Sequence, residues 1–216
     1  MGGCVVSNAN HQLQFQIAPM PLTRRAVLTS IAATALVPRR ALALAGELFP
    51  VRAADEQDIA YKYRRRDMAF ETQEPAGTIV VDPRHRFLYH VQGGGMATRY
   101  GAAVGKSAKA WSGEAVVKRK EKWPIWTPTP EHLAAKPDLA KYLPGGMPPG
   151  PGNPMGARAL YLYQGEVDTV YRIHGTHDLR LIGQKSTAGC FGLLNIDIIH
   201  LFDRVDLGTR VVVLPA

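Results

Sequence analysis

Short runs of β-forming residues, separated by turn residues, dominate the chain from residue 78 to residue 214. Seven such runs occupy residues 78–81, 87–91, 97–104, 114–123, 157–163, 169–174 and 209–214. Runs of this length, bounded by Gly, Pro, Asp and Asn, are typical of strands. Because few helical patterns lie between them, they predict a mainly β domain, either a sandwich or a barrel-like fold. Asp82 and Pro83 predict a hairpin between the first two runs.

One helix is predicted directly after residue 194. Ile198, Ile199 and Phe202 recur with helical spacing and form an apolar stripe, which Val205 extends. Asn195 precedes the stripe and is the predicted N-cap, since its side chain can accept a backbone N–H.

A segment rich in proline and glycine lies between the fourth and fifth runs. Ten of the 13 residues from 144 to 156 are Pro or Gly. This composition excludes helix and strand and predicts a stiff, ordered loop near the functional site. A disordered linker is the alternative.

The first 45 residues have the pattern of an export signal. Arg24 and Arg25 precede an uncharged stretch over 26–37, which is too short for a membrane span. Residues 43–45 form a small-x-small cleavage site, and paired arginines in this position favour the twin-arginine route over an ordinary secretory leader. The predicted organisation is an export signal over 1–45, an N-terminal arm over 46–76 and a catalytic domain over 77–216, with Met1 or Met20 as the start. After cleavage, no membrane-spanning segment is predicted.

Part of the basic charge belongs to this leader. The formal net charge is +8, and residues 1–45 contribute four arginines and no acidic residue. The remaining excess suits solubility or an anionic envelope polymer. No motif for nucleic-acid binding is present, so no nucleic-acid partner is predicted.

Cys190 is the only cysteine left after the predicted cleavage, so an intramolecular disulfide is excluded. An inert buried thiol is the usual interpretation of a single cysteine, but the neighbouring sequence favours a nucleophile. His174 ends an apolar run and could act as the base that a thiol needs. The carbonyl of Gly175 could set the imidazole tautomer. Small residues at 187–189 leave room for backbone amides to approach an oxyanion.

Several motifs together resemble the L,D-transpeptidase (YkuD-type) catalytic domain family. The resemblance covers about residues 75–215 and is strongest in His174-Gly175-Thr176 and Thr187-Ala188-Gly189-Cys190. Further landmarks are Ile182-Gly183, Leu193-Leu194-Asn195, Trp123-Pro124, and Gly152-Asn153-Pro154-Met155-Gly156. The family resemblance implies a YkuD-like β domain with one short helix after the catalytic cysteine.

The resemblance also implies a reaction. Cys190 would be the nucleophile, His174 the proton donor and acceptor, and Gly175 the carbonyl that orients His174. Thr187, Ala188 and Gly189 would line the oxyanion hole or bind substrate. The implied substrates are peptidoglycan tetrapeptide stems, joined into 3→3 cross-links in the periplasm or cell envelope without a metal or other cofactor.

Two observations keep alternatives open. The family usually carries arginine two residues after the cysteine, and this chain has Gly192, which allows a non-catalytic wall-binding relative. The acyl acceptor is also open, because water would make a carboxypeptidase and a protein lysine would tether a lipoprotein, while cleavage of such a tether is a further possibility. A zinc site formed by His174, His177 and Cys190 is the least favoured alternative.

Overall fold

The computed structural model describes residues 44–105, 111–186 and 190–216, with the backbone alone at positions 53, 54, 185 and 186. Residues 1–43 of the predicted export signal, and the predicted oxyanion residues 187–189, therefore lie outside the described residues.

Within these residues, eleven strands belong to one hydrogen-bonded sheet. The strands are β1 (Arg66–Ala69), β2 (Ile79–Asp82), β3 (Phe87–Gly93), β4 (Met96–Gly101), β5 (Ala103–Gly105), β6 (Gly113–Lys122), β7 (Arg158–Gln164), β8 (Val167–Thr176), β9 (Lys185–Ser186), β10 (Phe191–Leu194) and β11 (Arg210–Val213). Their order in the sheet is β1-β4-β3-β2-β11-β6-β7-β8-β10-β5-β9. The predicted mainly β architecture is confirmed.

All seven predicted runs contain strands, and β2 and β3 form the predicted antiparallel hairpin. The run over 97–104 is divided at Ala102, because β4 pairs with β3 whereas β5 pairs with β10. Three strands were not predicted. β1 lies in a polar, charged segment, β9 has only two residues, and β10 follows the cysteine without a preceding turn signal.

Helical structure occupies short segments. The α-helices among the described residues are α1 (Pro130–Ala135) and α2 (Asn195–Phe202), and 3-10 turns span Ala53–Asp58, Tyr61–Tyr63, Pro137–Tyr142 and Leu179–Leu181. α2 is the helix predicted after the cysteine, and its apolar stripe is buried as expected.

The prediction that Asn195 caps α2 is wrong. Leu194 occupies the N-cap position and makes no side-chain cap hydrogen bond. Asn195 is the first helical residue, and its Oδ1 accepts the backbone N–H of Ala157 at 2.9 Å. The side chain that would cap the helix locally instead bonds to a distant segment of the chain.

The main core lies between one face of the sheet and α2. Leu160, Ile173 and Leu193 from three neighbouring strands are fully buried there with Ile198 and Leu201 of the helix. Side chains alternate between the two faces of a sheet along each strand. The residues that directly precede and follow these core residues on β7, β8 and β10 therefore point to the opposite face. No helix among the described residues is long and apolar enough to cross a membrane.

Residues from the predicted N-terminal arm pack onto this domain. Val51 is buried against Trp123, while Ile59 and Tyr63 are buried in a cluster with Leu194. β1 extends the sheet beside β4. Residues of the predicted arm thus contribute apolar side chains to the fold.

Candidate active site

β8 and β10 bring the predicted nucleophile and base to the same face of the sheet. The two strands are parallel, with Gly192 opposite His174 and Phe191 opposite Ile173. Continuing this register by one residue places Cys190 opposite Arg172. Cys190 and His174 are therefore diagonal neighbours, with Cα atoms on the order of 8 Å apart.

The imidazole of His174 is oriented by the backbone. Its Nδ1 lies 2.5 Å from the carbonyl oxygen of Gly175. A carbonyl oxygen only accepts hydrogen bonds, so Nδ1 carries the hydrogen and Nε2 is left with a lone pair. Burial lowers the pKa of His174 to about 4, assisted by the positive charge of Arg172 and opposed by the Gly175 hydrogen bond. The imidazole is neutral at neutral pH and can accept a proton through Nε2.

Close packing holds the Gly175 carbonyl in place. A Cβ built on Gly175 would overlap Asn195 Oδ1, and it would lie 3.0 Å from the backbone nitrogen of Ala157. Gly156 has a φ of +60°, and a Cβ there would overlap both Asn195 and the Gly175 backbone. Only glycine fits at either position, because any other residue would bring a Cβ into these overlaps.

The Pro/Gly-rich loop is ordered by Asn153. This residue is 1% exposed. Its Nδ2 donates to backbone carbonyls of Pro124, Met147 and Pro148 at 3.0–3.1 Å, and its Oδ1 accepts the N–H of Met155 at 2.8 Å. The predicted ordered loop is thus confirmed, and it ends at the Gly156 contact beside the base.

The thiol of Cys190 lies beside Val170 of β8. Cys190 is partly exposed, and its Sγ is 3.9 Å from the carbonyl oxygen of Val170. The carbonyl of Cys190 accepts the N–H of Gly105 at 3.0 Å, which ties the residue to the end of β5. Burial raises the pKa of the thiol, while a backbone hydrogen bond and the charge of Arg172 oppose this effect. The resting thiol is protonated at neutral pH.

Val170 has an unusual backbone conformation beside the thiol. Its φ is +60°, a region that β-branched residues rarely adopt. Its N–H donates to Asp168 Oδ1 at 2.9 Å, and the pairing of β7 with β8 shifts register between Tyr161 and Tyr163. The irregularity turns the Val170 carbonyl toward Cys190. The sequence carried no signal for it, because Val is a regular strand residue.

Arg172 and Asp168 are site neighbours that the sequence analysis missed. The guanidinium of Arg172 forms a bidentate ion pair with Asp168, at 2.6 and 2.8 Å. The available signal was strand alternation, since Arg172 lies two residues before His174 and so shares its face.

Other predicted residues are placed as follows. Gly192 is buried between His174 on β8 and Ala103 on β5. Thr187, Ala188 and Gly189 lie outside the described residues. His177 is exposed beyond the end of β8. No group of three or more His, Cys, Asp or Glu side chains in the described part of the chain could hold a metal ion.

Comparison with known proteins identifies a family. The model of the L,D-transpeptidase catalytic domain (YkuD) matches residues 76–213. The chain is 43% identical over 95 residues to the probable L,D-transpeptidase ErfK/SrfK of Escherichia coli strain K12, covering 44% of this chain and 29% of that protein. It is 34% identical over 139 residues to the probable L,D-transpeptidase YbiS of the same strain, covering 62% and 43%. The chain thus spans less than half the length of these two relatives.

A solved structure covers a larger share of both chains. It is a crystal structure from Brucella melitensis, described as a probable carnitine operon oxidoreductase, with 46% sequence identity and a TM-score of 0.50. The similarity covers 74% of this chain and 99% of that chain. The family match over residues 76–213 extends across well over half of the sequence and contains both Cys190 and His174. The chain therefore belongs to the L,D-transpeptidase catalytic domain family.

Proposed function

We propose that this protein is a cysteine-dependent L,D-transpeptidase that forms 3→3 cross-links between peptidoglycan stem peptides. Cys190 is the proposed nucleophile and His174 the proposed proton donor and acceptor. One observation carries the proposal: the Gly175 carbonyl binds Nδ1 of His174 and so leaves the lone pair of Nε2 to accept a proton. The pairing of β8 with β10, continued by one residue, puts Cys190 on the same face of the sheet.

In the first step, Sγ of Cys190 attacks the carbonyl between the third residue of a tetrapeptide stem, a diamino acid, and its terminal D-alanine. The thiol proton passes to Nε2 of His174. The carbon–nitrogen bond then breaks, and His174 gives the proton to the amine of the departing D-alanine. The product is a thioester between the stem and Cys190.

In the second step, the side-chain amine of another stem attacks the thioester. His174 removes a proton from this amine, the carbon–sulfur bond breaks, and the proton returns to sulfur. The new amide joins the third residues of two stems. The side chains of the chain itself supply every proton transfer in this scheme.

The pKa directions support neutral starting groups. Burial raises the pKa of Cys190 and lowers that of His174. A protonated thiol and a neutral imidazole are therefore the resting forms at neutral pH, and proton transfer accompanies nucleophilic attack. The backbone amides of Ala188, Gly189 and Cys190 are the proposed oxyanion donors, and Thr187 is proposed to support this loop, on the basis of the sequence motif.

Purified muropeptides provide the test. Full-length protein is incubated with tetrapeptide monomers, and the products are measured by mass spectrometry. We expect a dimer that has lost one D-alanine. Cys190→Ala should abolish this product, whereas Cys4→Ser, which removes the other cysteine of the sequence, should leave it unchanged. The proposal is wrong if the wild-type protein yields no product and a carbapenem forms no adduct on Cys190.

The same assay separates the alternative functions. Tripeptide monomer alone indicates a carboxypeptidase. Transfer to a lysine peptide indicates lipoprotein tethering, and release of such a peptide from a stem indicates removal of a tether. Stem binding without any product indicates a non-catalytic relative.

We also propose export to the periplasm or cell envelope through the twin-arginine route. Replacing Arg24 and Arg25 together by lysine should retain the precursor in the cytoplasm in a cell fractionation experiment. Continued export of that variant would contradict this route and favour the general secretory route.

A further inference from the structure

A row of side chains crosses the sheet and ends at Cys190. Arg119 on β6 is opposite Tyr161 on β7, and Tyr161 is opposite Arg172 on β8. Continuing the parallel pairing of β8 with β10 by one residue, from Phe191 and Ile173, brings the row to Cys190. Cross-strand partners project from the same face. The row thus places Arg172 next to Cys190 and Arg119 two strands farther away.

The guanidinium of Arg172 is held in a defined position. Its Cζ lies 4.5 Å from the centroid of the Tyr161 ring, and its side chain is only 14% exposed. Asp168 binds it in bidentate fashion, and its Nη1 also donates to the carbonyl of Tyr171 at 2.9 Å. Stacking and these charge-assisted bonds restrict the guanidinium more than a surface arginine would be restricted.

We propose that Arg172 is a positioning residue that stabilises the thiolate form of Cys190, and that Asp168 limits this effect by neutralising the guanidinium. The inference rests on the proposed nucleophilic role of Cys190 and extends it. It assigns the positive charge that offsets the destabilisation of the developing thiolate by burial. Arg172 also contributes a backbone hydrogen bond to Cys190, in addition to its charge.

The experiment must separate the effect of Arg172 on the thiol from the effects of the other charged and titratable groups on this face of the sheet. β8 contributes Asp168, Arg172 and His174, and β7 contributes Tyr161. From β6, Arg119 lies 3.5 Å from the Tyr161 ring centroid, and Glu121 accepts the Tyr161 hydroxyl at 2.8 Å. The side chains at 185–189 lie outside the described set. His174 is neutral above its pKa of about 4, so among the described residues the positive charge that acts on the thiol is that of Arg172.

The ion pair predicts effects of opposite sign for its two members. Removing the charge of Arg172 destabilises the thiolate. Removing the charge of Asp168 stabilises it, because the guanidinium is then no longer neutralised. Asp168 is 40% exposed, so its loss leaves no buried vacancy, and Arg172 keeps its contacts with Tyr161 and the Tyr171 carbonyl. A purely structural ion pair would instead give changes of the same sign.

The experiment measures alkylation of Cys190 by iodoacetamide as a function of pH, in full-length protein that carries Cys4→Ser. Arg172→Gln should move the midpoint of the rate profile to higher pH and slow alkylation at pH 7 roughly three- to tenfold, as expected for one partly neutralised charge. Asp168→Asn should move the midpoint to lower pH. Arg172→Lys should restore part of the effect.

Arg119→Gln is the matched control. It removes the same charge from a second guanidinium that contacts Tyr161, with β7 and β8 between it and Cys190, and should leave the midpoint near that of the parent protein. If Arg172→Gln does not fold, Asp168→Asn decides the question alone, and an unchanged or raised midpoint overturns the proposal. An equal shift in Arg119→Gln and Arg172→Gln also overturns it.

Failure of this inference is distinguishable from failure of the proposed function. Alkylation requires only the thiol, whereas the muropeptide assay requires the complete reaction. Unmoved midpoints with intact cross-linking refute the role of Arg172 alone. Shifted midpoints with neither a stem product nor a carbapenem adduct refute the transpeptidase proposal alone.

Discussion

The side-chain oxygen of Asn195 accepts the backbone N–H of Ala157 at 2.9 Å and thereby joins the first turn of α2 to the start of β7. The same oxygen lies against the Cα positions of Gly156 and Gly175, where no Cβ would fit. Gly175 in turn provides the carbonyl that binds His174 Nδ1. One amide oxygen therefore fixes three segments whose packing sets the tautomer of the proposed base.

Asn195→Ala should destabilise the fold and reduce activity. The change leaves the N–H of Ala157 without its acceptor, which costs about 1–3 kcal/mol. We expect this loss of unfolding free energy in urea denaturation and a decrease in cross-linking by the protein that remains folded. Asn195→Asp keeps the accepting oxygen and serves as the control. Equal stability of the alanine and aspartate variants would contradict the assigned role of the bond.

Gly156→Ala should be more harmful than an alanine elsewhere in the same loop. The φ of +60° and the overlap with Asn195 Oδ1 predict a loss of about 2 kcal/mol or more. Gly152→Ala is the comparison, because its φ is not positive and a Cβ there meets nothing within 4 Å. Thermal unfolding of the two variants checks the difference, and similar melting temperatures would refute it.

Glu47→Gln should reveal how firmly the N-terminal residues are anchored. Glu47 forms a bidentate ion pair with Arg158, whose side chain is 4% exposed, and accepts the indole N–H of Trp123 at 2.9 Å. Losing the carboxylate charge leaves a buried guanidinium uncompensated, which predicts a destabilisation of about 3 kcal/mol.

Glu166→Gln provides the matched comparison for Glu47. Its partner is Lys118, but Glu166 is 95% exposed, so the expected change is only about 0–1 kcal/mol. Denaturant titrations of both variants test the contrast. Equal effects would mean that residues near position 47 contribute little to the stability of the domain.

The pH dependence of stability should include a contribution from His200. Burial lowers its pKa to about 4, with the positive charges of Arg65 and Arg204 adding to the effect, and Tyr100 hydrogen-bonds to its Nδ1 at 2.9 Å. In the unfolded chain the pKa is about 6.5. The unfolded state therefore binds the proton at higher pH, and the stability present above pH 6.5 is lost as the pH falls toward 4.

Unfolding free energies measured at several pH values between 7.5 and 4.5 test this contribution. The wild-type protein should lose stability more steeply on acidification than His200→Gln, whose side chain retains an acceptor for Tyr100. His177→Gln, at an exposed position, should show the wild-type slope. Parallel curves for the wild type and His200→Gln would contradict the prediction.

Gly192→Ala should preserve both fold and activity. A Cβ at this position would meet only the Cβ atoms of Ala103 at 3.4 Å and Thr176 at 4.0 Å, and its φ is not positive. We expect a melting temperature equal to or slightly above that of the wild type, because alanine reduces the entropy of the unfolded chain. Measured loss of cross-linking in Gly192→Ala would show that the absence of a side chain beside His174 is itself required.

Local sequence was sufficient for much of the fold and for the proposed reactive pair. The β-branched and apolar runs predicted seven strand-containing segments, and the spacing of Ile198 and Phe202 predicted α2. The motif around Cys190 and His174 predicted which residues to examine. β1 escaped prediction because Arg66 and Asp67 have low strand propensity and gain their strand conformation from pairing with Arg99 and Thr98 on β4.

The site itself depended on pairings that local sequence does not encode. Asn195 is a residue type that favours helix N-caps, yet its side chain accepts a hydrogen bond from Ala157, 38 residues away in the sequence. The local sequence of Arg172 indicates only a strand, and the pairing of β8 with β10 is what places Cys190 at the start of the neighbouring strand.

The sequence by itself thus determined the strand-rich fold class and singled out Cys190, His174 and Gly175 as the proposed site residues, because strands follow from short-range periodicity and candidate site residues from side-chain chemistry. Only the tertiary structure decided that His174 presents Nε2, that Asn195 and Gly156 lock the Gly175 carbonyl, and that Arg172 lies on the strand beside Cys190. These outcomes arise from strand register and close packing between distant segments, and both are properties of the folded chain as a whole.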